Sequence, residues 1–114
     1  VLALETATAA CSVALLVDGA TFEAHAVAPR QHTELLLGMV EQVLAEAGES
    51  RQGLDLVAFG RGPGAFTGVR IAASVAQGLA LARDLPVAPV STLAALATGG
   101  ARLSGARRVA AALD

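Results

Sequence analysis

The residues with the strongest claim to chemistry form a turn. Gly60, Gly62 and Gly64 stand between an apolar run and an apolar, alanine-rich stretch. Closely spaced glycines let a backbone approach a ligand, and a helix opening just after them offers unpaired N–H groups to an anion. That is phosphate chemistry in outline, but the details do not complete it. No Lys-Ser/Thr pair follows the glycines, as a Walker A loop requires. The spacing Gly60-x-Gly62-x-Gly64, then Gly68, is not the dinucleotide fingerprint, and no acid about twenty residues on is placed to hold a ribose. From the residues alone, a tight turn or a packing contact is the preferred reading.

The other chemical candidates are sparser. Glu5 and Thr6 close the first apolar run. An acid at a strand end can orient a metal or a water, but Glu5 has no second carboxylate and no basic residue beside it in sequence. Its simpler reading is a strand-end acid hydrogen-bonded to the next loop. His25 and His32 stand apart, each read as a surface or hydrogen-bonded residue. The single cysteine, Cys11, sits in an apolar run and reads as a small core residue. The sequence therefore predicts no catalytic set, no metal ligands and no disulfide.

Composition narrows the classes. The chain has 114 residues, 54% of them hydrophobic, with three Phe and neither Tyr nor Trp. That suits one compact lobe with an aliphatic core. Net charge is −2, and the arginines are spread along the chain, with only Arg102, Arg107 and Arg108 close together. No basic stripe or aromatic platform supports an independent RNA-binding module. The first seventeen residues lack a basic leader, and Glu5 and Ser12 interrupt them. No later run is long enough to span a bilayer. The expectation is a soluble, cytoplasmic protein.

The elements that must hold these residues follow from periodicity and breakers. Strands are expected at Val1–Glu5, Cys11–Val17 and Ala20–Val27, the last two joined by an Asp18-Gly19 hairpin turn. A helix is expected from Gln31 to Ala47, closed by Gly48. A strand from Leu54 to Gly60 leads into the glycine turn. Thr67 is the expected N-cap of a second helix running to about Asp84. A strand at Val87–Ser91 and a short helix at Thr92–Ala97 follow. Arg107–Asp114 reads as a further strand, so residues 1–104 are assigned to one lobe and 105–114 to the first strand of a second, cut short here. A meander followed by helix-separated strands predicts an α/β fold with a mixed sheet and flanking helices. The order matches the ribonuclease-H-like half of the actin/Hsp70/sugar-kinase superfamily.

One string is far more specific than its glycines. Gly60-Arg61-Gly62-Pro63-Gly64-Ala65-Phe66-Thr67-Gly68-Val69-Arg70 resembles the signature of the TsaB/YeaZ family. Leu2-Ala3-Leu4-Glu5-Thr6, Pro29-Arg30-Gln31-His32-Thr33 and Pro89-Val90-Ser91-Thr92-Leu93 resemble it too, in order along the whole chain. The resemblance implies a non-catalytic scaffold or activator that pairs with TsaD in threonylcarbamoyl modification of adenosine 37 of tRNA. It implies TsaE in the same complex, a homodimer as a further option, and tRNA reached only through the complex. No intrinsic cofactor is implied, although ATP or ADP at the partner interface stays open. The glycoprotease label of M22-like relatives comes with it. TsaD carries a His-x-x-x-His pair after the strand equivalent to Val87–Val90, where this chain has Thr92 and Leu96. That departure argues against catalysis.

The helices point the same way. Leu35, Leu36, Leu37, Met39, Val40, Val43, Leu44 and Ala47 cover an arc of roughly 200° at 3.6 residues per turn, more than one buried face needs. Ala73, Ala76, Gln77 and Ala80 form a small-residue flank on the second helix. Leu35, Leu36, Met39, Val40 and Val43 with that flank are the expected partner interface. Glu5, Thr6, Gly60, Arg61, Gly62, Pro63, Gly64, Phe66, Thr67, Gly68 and Arg70 are the motif residues, with Arg61 and Arg70 assigned to partner or loop contacts. The competing reading is a nucleotide- or metal-dependent enzyme of the same fold, motivated by the glycine turn and Glu5-Thr6.

Overall fold

The computed structural model of the chain describes residues 1–6, 10–27, 33–64, 66–92 and 95. Its strands are β1 (Leu2–Glu5), β2 (Ala10–Val17), β3 (Ala20–Val27), β4 (Val57–Gly60) and β5 (Val87–Val90). Helix α1 spans Thr33–Ala47 and α2 spans Phe66–Leu81. The strands make one sheet in the order β3-β2-β1-β4-β5. The meander β1–β2–β3 is antiparallel, whereas β4 and β5 add parallel to β1. The mixed α/β sheet with flanking helices is thus the one expected.

Local chemistry explains the turns. Asp18 and Gly19 both have positive φ (48° and 82°), the conformation of a two-residue hairpin turn whose twist matches the flanking strands. Helix α1 ends where Gly48 adopts φ 68°. There the Glu49 N–H bonds the Leu44 carbonyl and the Gly48 N–H bonds the Ala45 carbonyl, at 2.9 and 3.1 Å. This double closure satisfies two orphan carbonyls, and a residue with a Cβ would strain it.

Both long helices pack on the same face of the sheet. Period-two alternation points Leu2, Leu4, Cys11, Val13, Leu15, Ala24 and Val57 toward them. Leu36, Val40 and Val43 of α1 and Ala72 and Ala76 of α2 meet that layer with no exposure at all.

The structure corrects four expectations. The predicted strand at Leu54–Gly60 pairs only from Val57; a 3-10 turn occupies Arg51–Gly53, and Leu54 is spent as a buried plug. Thr67 does not cap α2, because the helix already includes Phe66. Helix α2 stops at Leu81, short of Asp84. Most important, six of the nine expected interface residues are core. Leu36, Met39, Val40, Val43, Ala76 and Ala80 are at most 5% exposed. The wide apolar arc of α1 is covered by the β2–β3 face of the sheet and by α2 together, where one sheet face alone had been counted. Leu35, Ala73 and Gln77 keep some exposure. Expectations at Pro29–His32, at most of the short helix after Thr92, and at Arg107–Asp114 lie outside the described residues.

Candidate functional site

Because β1, β4 and β5 are parallel, their carboxyl ends meet at one edge of the sheet. Glu5, Gly60 and Val90 end them there. In open α/β sheets this edge is where ligands bind, and the glycine turn rises from it. The site is therefore placed by topology, not by sequence proximity.

Glu5 and Thr92 form its centre. The Thr92 hydroxyl reaches both oxygens of the Glu5 carboxylate, at 3.3 Å to Oε1 and 3.2 Å to Oε2. The same hydroxyl accepts the N–H of Gly62 at 3.2 Å. The Thr92 N–H in turn donates to the Gly62 carbonyl at 3.0 Å, so Gly62 and Thr92 exchange two bonds. The Arg61 N–H donates to the Val90 carbonyl at 2.9 Å. The turn is stitched to the end of β5, and β5 is stitched to β1 through the carboxylate.

Gly60 and Gly62 have separate reasons to be glycine. A Cβ on Gly60 would lie 1.8 Å from Glu5 Oε2, inside the space the carboxylate fills. Gly62 has φ 94°, which side chains disfavour. The peptide between Gly62 and Pro63 is cis. A second tie runs beneath: the fully buried Thr6 donates its hydroxyl to the Gly68 carbonyl in the first turn of α2. Arg61, Pro63, Gly64, Thr67 and Arg70 are exposed. The motif thus splits into an inner set (Glu5, Thr6, Gly60, Gly62, Gly68) and an outer set that faces solvent.

These bonds limit what the turn can do. A phosphate cradle needs free backbone N–H donors, and those of Arg61 and Gly62 are already used within the chain. Among the described residues no group of three or more His, Cys, Asp or Glu could hold a metal. Nor is any described helix long and apolar enough to cross a membrane.

Two residues unexpected from sequence lie next to the centre. On the sheet face away from the helices, Glu5 is directly opposite Ser12, and Ser12 directly opposite His25. Ser12 Oγ is 3.0 Å from His25 Nδ1, and His25 Nε2 is 3.4 Å from Glu23 Oε2. They border a groove of about 250 Å³ over Ala3, Ala14 and Ala58. The connectivity is that of a serine–histidine–carboxylate relay. It lacks the rest of such a site, because Ser12 lies on a strand flanked on both sides, whose N–H groups serve the ladders instead of an oxyanion hole. Only the strand register could have revealed this row; the two histidines read singly gave no hint of it.

The comparisons agree with this architecture. A family model described as TsaD, tRNA N6-adenosine threonylcarbamoyltransferase, matches residues 25–113. The chain is 52% identical over its whole length to the tRNA threonylcarbamoyladenosine biosynthesis protein TsaB of Escherichia coli strain K12, covering 49% of that protein. It is 50% identical to TsaB of Haemophilus influenzae across 99% of this chain and 48% of that one. The solved structure of YeaZ from Pseudomonas aeruginosa superposes with a TM-score of 0.94 at 57% identity, over 99% of this chain and 53% of that chain. The chain spans about half the length of the curated relatives it matches. With a stitched glycine turn, a mixed five-stranded sheet and these likenesses along its full length, the chain belongs to the TsaB/YeaZ family, within the wider group that the TsaD family model describes.

Proposed function

We propose that this chain is the pairing lobe of a non-catalytic subunit that binds a TsaD-like protein in tRNA threonylcarbamoyladenosine biosynthesis, through the outer side of α1 and α2. The observation that carries the reading is Gly78. It lies inside α2, where glycine costs about 1 kcal/mol relative to alanine. Yet a Cβ there would meet nothing within 4 Å. Neither the packing of this lobe nor a positive φ requires the glycine, whereas close approach of a further surface, a partner's or that of the rest of a longer chain, would; the pairing reading takes the partner's. Gly78 lines a cleft between the helices with Thr33, Leu37 and Ser74. Gly38 in α1 has the same open surroundings. The expected interface therefore moves outward, from Leu36, Met39, Val40 and Val43 to this cleft with Leu35, Ala73 and Gln77.

The pathway is the one for which the TsaB relatives are named. TsaE in the same assembly, ATP or ADP held where the subunits meet, a cytoplasmic location and access to tRNA only through the complex belong to the same proposal. The enzyme reading loses two anion donors, the N–H groups of Arg61 and Gly62, which are bonded within the chain.

The test is sedimentation of the full-length protein with its cognate TsaD-like partner. Gly78→Arg should unfold no earlier than the parent and should lose the complex. A parent protein that forms no complex would overturn the reading. A Gly78→Arg variant that still pairs would move the interface elsewhere. Micromolar binding of ATP, ADP or a divalent metal by the protein alone would favour the enzyme.

A further inference from the structure

The cleft between α1 and α2 is bordered by two helices of different charge. Between Arg30 and Arg51 the chain carries Glu34, Glu41, Glu46 and Glu49 and no Lys or Arg, so α1 is acidic along its solvent side. In α2 the sole charged residue is Arg70, and from Ile71 to Ala82 there is none. The solvent face of a helix ordinarily carries charge. Beyond Arg70 the exposed positions of α2 are instead Ser74, Gln77, Gly78 and Leu81, and Leu81 is 83% exposed. An uncharged strip with a charged rim is the composition of an interface centre and its border.

The two rims lie on opposite sides of that strip. By helical spacing Glu34, Gly38 and Glu41 fall in one row of α1, next to Leu37, which lines the cleft of about 270 Å³. Arg70 stands on the flank of α2 turned away from Val75 and Leu79, which line the same cleft. Glu41 is engaged within the chain, where Arg51 donates to its Oε1 at 2.7 Å. The charge of the α1 rim is therefore set by Glu34. We propose that the TsaD-like partner meets this cleft with an uncharged surface bordered on one side by Lys or Arg, the uncharged part on Ser74, Gln77 and Gly78 and the basic border on Glu34. This rests on the pairing reading above and adds the chemistry of the surface that pairs. Close approach at Gly38 brings the basic border within reach of the carboxylate. Turned the other way, the same surface would set its cations against Arg70, so the rims admit one orientation. The strip excludes a charged face, since a charge buried there without a counterion is costly.

Ionic strength separates rim from strip in the full-length protein with its cognate TsaD-like partner. Glu34→Lys should weaken pairing about tenfold at low salt, chiefly through slower association, and the loss should shrink as salt screens the rim. Glu46→Lys, on the opposite side of α1 from Leu37, should change pairing far less. Ser74→Glu should lose the complex at every salt concentration, because it buries a charge in the strip. Glu34 also lies in the first turn of α1, where a carboxylate suits the helix dipole. Unfolding is therefore followed beside binding: a dipole role alone moves the midpoint and leaves pairing and its salt dependence as in the parent. A Glu34→Lys variant that pairs as tightly as the parent at low salt overturns the proposal. So does parent pairing that salt does not weaken, or a Ser74→Glu variant that pairs normally. If Gly78→Arg still loses the complex in those cases, the pairing reading stands and only the basic border falls. A parent protein that forms no complex overturns both.

Discussion

Thr92 holds Glu5 and Gly62 with one hydroxyl. It donates to the carboxylate at 3.2 Å and accepts the loop N–H at the same distance. Eighty-seven positions separate Thr92 from Glu5, so this atom ties the first strand to the last described one and the glycine turn to both. Thr92 is thus a structural pin in this chain.

The hydroxyl is 7% exposed as part of its residue, so removing it leaves buried polar groups unpaired. Thr92→Val should cost about 1–3 kcal/mol in urea unfolding, and Thr92→Ser much less. Equal losses for the two variants would assign the effect to the methyl group instead.

Gly60→Ala tests the same contact from the other side. The new Cβ displaces the Glu5 carboxylate, which takes it off Thr92. The loss should be about 1–3 kcal/mol, and the double variant with Thr92→Val should lose clearly less than the sum. Additive losses in a double-mutant cycle would mean the carboxylate moves without leaving the hydroxyl.

Gly38→Ala and Gly78→Ala should each stabilise the lobe, by about 0.4–1 kcal/mol, because both positions are helical and open. Thermal unfolding reads this directly. Stabilisation accompanied by weaker pairing with the TsaD-like protein is the combination that marks an interface glycine.

Leu36 and Leu35 separate core from surface. Leu36 has no exposure, and Leu36→Ala should cost about 2–5 kcal/mol. Leu35 is only half-buried, so Leu35→Ala should cost less in unfolding and act mainly on pairing. Reversed costs would return Leu36 to the interface.

Arg70 is exposed on the first turns of α2. Arg70→Ala should weaken the complex without abolishing folding, with the unfolding midpoint measured beside the sedimentation. Normal sedimentation of the variant with its partner would remove Arg70 from the contact.

Much of this molecule was legible in its residues. Alternation gave β2 and β3, Asp18-Gly19 gave their turn, Gly48 the end of α1, and the string from Gly60 to Arg70 the family. These are local signals, in which backbone conformation and side-chain period act over a few residues. The site was not local. Glu5, Gly62 and Thr92 come from three distant parts of the chain, and only parallel pairing of β1, β4 and β5 brings them together. That pairing also decided why Gly60 is glycine, a matter of where the Glu5 carboxylate falls. Burial was the other tertiary decision. The apolar arc of α1 was visible in sequence, but an arc says how much surface wants covering and not what covers it. The sheet and α2 cover it here, which turned six expected contact residues into core and left two helical glycines, Gly38 and Gly78, in open surroundings.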